Sequence, residues 1–142
     1  VGRVPSPLLM LVLHRLGLLS DEAYRLTGSV WCDAEFPSQA LTEDEWSVLF
    51  ERAGYCVDGV PSQRPTAPLR LWRGSVEERR LDWSWTDDIE VARQFAAGGL
   101  LGRARGHVWT ALVEPYRLLA RNNYRNEGEF VVNTRGLGVT TA

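Results

Sequence analysis

The sequence predicts an α+β fold in one domain, with a helical cap over residues 1–60 and a strand-rich core over residues 69–142. Three observations point there. The first part carries apolar residues at helical spacing behind capping residues, at Ser6-Pro7 and at Thr42-Glu43-Asp44-Glu45. The second part carries short alternating runs bounded by Gly and Pro, at 69–74, 83–86 and 107–113. Between them, 57–68 holds Gly59, Pro61, Ser62, Pro65 and Pro68 and reads as a connector within one domain. A length of 142 residues suits a single domain, and 44% hydrophobic content suffices for a core.

Charge narrows the partners. The formal net charge of −2 predicts no strong attraction to nucleic acid or to a membrane surface. All 16 basic residues are arginine, as GC-rich coding favours; selected loss of lysine modification sites is the alternative. The charge is uneven. Residues 1–68 hold 5 Arg against 9 acids, and residues 69–142 hold 11 Arg against 9 acids, so the second half is better suited to an anionic ligand. Cys32 and Cys56 lack metal-ligand spacing and have only His14 and His107 to help, which predicts no zinc site. A single disulfide stays open. Arg3 and the apolar run 8–13 faintly resemble a signal peptide, but the run is short, broken by His14-Arg15, and has no small-residue cleavage site. The expectation is a cytoplasmic chain, and no apolar run approaches the ~20 residues of a membrane span.

Taken in order, Ser6 caps a helix with Pro7 in its first turn, and Leu8, Leu9, Val12, Leu16 and Leu19 form its stripe. Ser20 caps a second short helix over 21–26, which Thr27-Gly28-Ser29 ends. Residues 31–39 read as a loop. Thr42 and Glu45 form a capping box that opens a helix with Trp46, Leu49, Phe50 and Ala53 inward, closed at Gly54.

In the second half, 69–74 alternates as a strand with Arg73 on the face of Leu69 and Leu71. A half-buried guanidinium there wants an anionic partner, a structural ion pair being the plainer alternative to a ligand. Trp83 to Thr86 is a short strand, and Thr86 or Asp87 caps a helix over 89–97 with Val91, Ala92 and Phe95 inward. Residues 98–106 are a Gly- and Arg-rich loop expected to be mobile. A strand over 107–113, a short one over 117–120, and a polar loop over 121–126 carrying Tyr124 follow. Residues 130–132 form a strand, and Val131 and Val139 flank a turn at Gly136. Glu127 and Glu129, two apart, place two carboxylates together at the strand's entrance, with Gly128 leaving the approach open. Like charges this close destabilise the fold. Two solvated acids at an edge are the plainer alternative.

Four features stand in a fixed order: Arg73-Gly74, Ser84-Trp85-Thr86 leading into a helix with Ala92 and Phe95, a Tyr-bearing loop, and Glu127-Gly128-Glu129. Together they resemble the ADP-ribosyltransferases of the arginine–serine–glutamate, toxin-like class, over roughly residues 69–133. The resemblance implies a split β-sandwich of two small sheets and a mono-ADP-ribosyltransferase that takes NAD as a substrate. It implies that Arg73, with Gly74, holds the NAD phosphates and ribose, and that Ser84, Trp85 and Thr86 place the nicotinamide ribose. The family's third position here is Thr86, which keeps a hydroxyl. Phe95 belongs to the cofactor-binding set. Glu129 is implied as the catalytic glutamate and Glu127 as the earlier acid, which in the family goes with arginine as acceptor. Tyr124 falls in the loop that meets the target. The implied partners are NAD and a macromolecular acceptor, with nucleic acid not excluded, and a toxin-like setting leaves room for a cognate inhibitor or antitoxin. An NAD glycohydrolase or phosphorylase toxin and an inactive binding module are the competing readings.

The residue types suit that chemistry by themselves. Cleaving the nicotinamide–ribose bond builds positive charge on the ribose, as in glycoside hydrolysis. A fixed carboxylate stabilises it where water is excluded. A guanidinium anchors a pyrophosphate bidentately, and Trp72, Trp85 or Tyr124 could stack on nicotinamide or pack in the core.

Overall fold

In a computed structural model of the protein, which describes residues 4–98 and 105–142, six helices and eight strands form a mixed α+β fold. The loop expected over 98–106 lies largely outside the described residues. Helices α1 (Pro7–Arg15), α2 (Asp21–Tyr24), α3 (Thr27–Asp33), α4 (Pro37–Ala40) and α5 (Glu43–Ala53) make up the N-terminal part. Their starts follow the expected chemistry. Ser6 accepts from the Leu9 N–H, Ser20 from that of Ala23, and Thr42 and Glu45 form a reciprocal capping box. Gly54 ends α5 at a φ of 70°, a conformation natural to glycine.

Two helical expectations are corrected. Thr27-Gly28-Ser29 does not stop a helix but begins α3, so residues 31–33 are helical, and α4 falls in the rest of the expected loop. The α3 backbone is buried at Thr27 and Gly28, and tertiary packing overrides the weak local propensity. The stripe on α1 is also the wrong one. Leu8, Leu9, Val12 and Leu16 are exposed, while Met10 and Leu11 are buried. This helix is apolar around most of its circumference, so spacing did not choose the inward face.

The strands are β1 (Cys56–Val57), β2 (Val60–Pro61), β3 (Leu69–Ser75), β4 (Ser84–Thr86), β5 (His107–Val113), β6 (Leu118–Asn122), β7 (Glu129–Val132) and β8 (Thr140–Thr141). The connector thus overlaps the β1–β2 hairpin, which begins one residue before it, and the last strand begins after Val139. The strands form one connected sheet in the order β2-β1-β6-β7-β4-β3-β5-β8, rather than the two small sheets expected. All pairs are antiparallel except β1 with β6. The join in the middle is narrow. β3 pairs with β5 along seven residues but with β4 only through Trp72 and Thr86. Across this join the Arg73 side chain donates to the Ser84 carbonyl at 2.7 Å, so a guanidinium bridges strands that pair at one position only.

Helix α6 (Ile89–Ala96) lies against β3 and starts at Asp88, whose carboxylate accepts from the Glu90 N–H at 2.9 Å. The expected caps, Thr86 and Asp87, do other work. Gly74 permits the approach, since a Cβ there would sit 1.9 Å from the Ala92 carbonyl oxygen.

Two clusters form the core. One joins the helices to the sheet through Met10, Tyr24, Trp31, Trp46, Leu49, Phe50, Trp83, Ala120 and Val131. The other gathers Leu71, Trp85, Trp109, Val113, Leu118, Phe130 and Val132. Strand β7 is buried on both faces: Val131 belongs to the first cluster and its neighbours to the second. By the two-residue period, Glu129 shares the face of Val131 and points towards the helices.

Candidate functional site

A cavity of about 540 Å³ opens between the helices and the sheet. That lies within the roughly 300–1,000 Å³ typical of small-molecule sites. Trp31, Cys32, Ala34, Phe36, Pro37 and Ser38 form one wall. The opposite wall includes Trp72, Arg73, Gly74, Arg79, Asp82, Ser84, Trp85, Thr86, Val91 and Phe95, together with Asn122, Arg125, Glu127 and Glu129. Eight of the nine expected site residues therefore meet around one hollow. Tyr124 lies outside the lining, half exposed, and its hydroxyl accepts from the Ser29 hydroxyl at 2.9 Å. That contact fastens the loop to α3.

Glu129 begins β7 and sits opposite Asn122 on β6 and Thr86 on β4. Its Oε2 accepts from the Ser84 hydroxyl, diagonally across the strand pair. Its Oε1 accepts from the Asn122 amide at 3.0 Å. Both carboxylate oxygens are therefore held from neighbouring strands. Thr86 turns its hydroxyl away from this group. It donates to the Glu127 carbonyl at 2.6 Å and accepts from the Asp88 N–H at 3.0 Å, joining the α6 start to the entrance of β7.

Arg73 is mostly buried, its side chain 14% exposed. Nε donates to the Arg79 carbonyl at 2.9 Å, Nη1 to the Ser84 carbonyl, and Nη2 to Asp82 at 3.3 Å. Three of its five N–H groups are thus engaged among the described residues, which leaves two for a ligand. Burial lowers its pKa to about 10; the Asp82 charge opposes that shift and the Arg79 charge adds to it. Asp82 Oδ2 also accepts from Arg79 Nε at 2.8 Å, so two guanidiniums share one carboxylate oxygen. Two guanidiniums against one carboxylate leave surplus positive charge beside Arg73, and Glu129 lies close by, since Ser84 meets Arg73 through its carbonyl and Glu129 through its hydroxyl. Arg125 offsets part of the charge of Glu127.

Trp85 lines the cavity but is buried in the core, with its indole N–H donating to the Asp82 carbonyl at 2.8 Å. Phe95 was expected to point inward. It lines the cavity while 46% exposed, because Ala92 takes the inward position of α6.

Glu127 is held above the ordinary carboxylate range, by burial first and then by the Glu129 charge, with Arg125 opposing. An acid raised in this way binds its proton more tightly folded than unfolded. Its contribution to stability is full below the unfolded value of ~4.3 and is lost as pH rises through the folded value. Glu127→Gln should therefore raise thermal stability at pH 7, by less than about 1 kcal/mol because the group is partly exposed, and do nothing near pH 4. Thermal melts at the two pH values measure this. A variant destabilised at pH 7 would mean that Glu127 makes a net favourable contact.

Cys32 also faces the cavity. Its pKa is raised to about 11, by burial first and then chiefly by the Glu129 charge, so it stays a thiol near neutrality and is a poor nucleophile. Both cysteines are free, and the disulfide left open in the sequence does not form. Among the described residues, no group of three or more His, Cys, Asp or Glu is placed to hold a metal, and no helix is long and apolar enough to cross a membrane.

Sequence reasoning expected the N-terminal helices to pack on the strand-rich half and complete the cleft wall, as they do, but it missed Asn122, Arg79, Asp82 and which helical residues form that wall. Asn122 left a usable signal: it continues the alternation of Leu118 and Ala120, so it is a polar residue at a core position. The particular residues of the helical wall left none, because α3 was hidden behind a Thr-Gly-Ser signature. Comparison of the chain with protein-family models, with curated proteins and with solved structures finds no match to any of them.

Proposed function

We propose that the chain is a mono-ADP-ribosyltransferase that moves ADP-ribose from NAD to a macromolecular acceptor, protein arginine foremost. The observation that carries this reading is the convergence of Arg73, Ser84 and Glu129 on one nucleotide-sized cavity, with both oxygens of Glu129 held in place.

The polarity of the cavity suits the substrate. The pyrophosphate of NAD is anionic and suits Arg73 and Arg79, and two N–H groups of Arg73 have no partner among the described residues. The nicotinamide ring is cationic and suits a place beside the Glu129 carboxylate. In the reaction the bond from ribose C1′ to the nicotinamide nitrogen breaks, and its electron pair leaves with neutral nicotinamide. The positive charge that remains on the ribose is stabilised by the Glu129 carboxylate. The acceptor nitrogen then bonds to C1′, and its proton passes to Glu127, whose raised pKa makes it a stronger base than an ordinary glutamate.

Incubation with NAD labelled in the adenylate half, with and without a cell lysate, tests this. The expected result is nicotinamide release together with label on an acceptor. Release without a labelled acceptor would replace the transferase by a glycohydrolase. No release would leave a binding module.

A further inference from the structure

We propose that Asn122 positions the Glu129 carboxylate by tying it to helix α3, so that the helical half takes part in catalysis through the carboxylate as well as through the cavity wall. The proposal rests on the catalytic reading of Glu129.

Asn122 is buried, with 3% of its surface exposed. Its amide nitrogen has two N–H groups and two acceptors: the Glu129 carboxylate at 3.0 Å and the Gly28 carbonyl of α3 at 3.2 Å. Neither neighbour can donate, so the amide has one sensible orientation. The backbone of α3 thus fixes the amide, and the amide fixes one oxygen of Glu129, while Ser84 fixes the other. Gly28 sets the spacing. A Cβ there would come 2.9 Å from Asn122 Oδ1 and 3.6 Å from the Ala120 Cβ, so a larger residue forces the amide to shift. Gly28 is helical with an ordinary φ, so only the contact with Asn122 disfavours alanine.

The arrangement also explains a buried polar group in the apolar register of β6. A buried amide is tolerated when its hydrogen bonds are made, and here both donors are engaged by groups from two other elements. Removing it frees one carboxylate oxygen to turn away from the ribose, and a misplacement near 1 Å at a reacting centre is worth roughly 10²-fold in rate.

The test uses the full chain, NAD as the probe, and two variants. Nicotinamide release by the unaltered protein, lost in Glu129→Gln, establishes the parent reading separately. Asn122→Ala should then lower kcat on the order of 10–100-fold with KM for NAD changed by less than roughly threefold. Gly28→Ala, which leaves the amide present but displaced, should lower kcat in the same sense by about 3–10-fold. Crystal structures of both variants should show the Glu129 carboxylate moved from its contact with Ser84. An unmoved carboxylate in both overturns the proposal whether or not the protein cleaves NAD. Unchanged kcat in both, or a loss carried by KM alone, overturns it too. If Asn122→Ala does not fold, Gly28→Ala decides by itself. If the unaltered protein releases no nicotinamide, the enzymatic reading fails and the carboxylate position alone decides.

Discussion

Glu129→Gln is expected to slow nicotinamide release from NAD by on the order of 10²–10³-fold while the protein stays folded. The substitution keeps the shape and removes the charge. An amide oxygen at Oε1 still accepts from Asn122, and the amide NH₂ at Oε2 can donate to the Ser84 hydroxyl, which turns to suit. The packing of β7, buried on both faces, is untouched. What disappears is the negative charge set against the ribose as the bond to nicotinamide breaks. The loss should therefore fall on kcat, with KM for NAD little altered. Steady-state kinetics with a thermal melt of the same sample measure both. A rate within tenfold of the unaltered protein would remove Glu129 from the mechanism.

Arg73→Met is expected to be the most destabilising single change at the site, by about 3–5 kcal/mol. The long apolar side chain fills much of the same volume but donates nothing. The carbonyls of Arg79 and Ser84 lose their donor, and Asp82 keeps only Arg79. An unsatisfied buried acceptor costs roughly 1–3 kcal/mol. The damage is not confined to the cavity, because Arg73 bridges the narrow join between β3 and β4. Against a total stability of roughly 5–15 kcal/mol the change is large, and it should lower Tm on the order of 10 °C. Calorimetry of the variant checks it. A Tm within about 2 °C of the unaltered protein would show that Arg73 is held ready for a ligand rather than employed by the fold.

The legible parts of the sequence were those in which local chemistry and tertiary structure agree. Ser6-Pro7, the Thr42–Glu45 box and Gly54 marked their helix ends, and 69–74 and 107–113 alternated as strands because each buries one face. The convergence of Arg73, Ser84 and Glu129 on one cavity was expected from the family resemblance that these motifs carry, and from no local pattern. Where packing overruled local preference, the sequence misled. Thr27-Gly28-Ser29 looks like a helix stop, yet Gly28 is glycine because Asn122 lies against it from a residue 94 positions away. The inward face of α1 was undecidable from periodicity, since its leucines lie on both sides. Gly74 was placed with Arg73 in the cofactor-binding set, whereas the backbone of α6 is what comes close to it.

Trp31 spans two environments: it lines the cavity on one side and stacks on Trp83 on the other, with ring centroids 6.0 Å apart. Trp72 and Trp85 line the same hollow. Half of the chain's six indoles therefore sense whatever enters. The protein carries its own optical reporter: a ligand that fills the hollow should quench or shift the intrinsic emission, so affinity can be titrated by fluorescence before any acceptor is known.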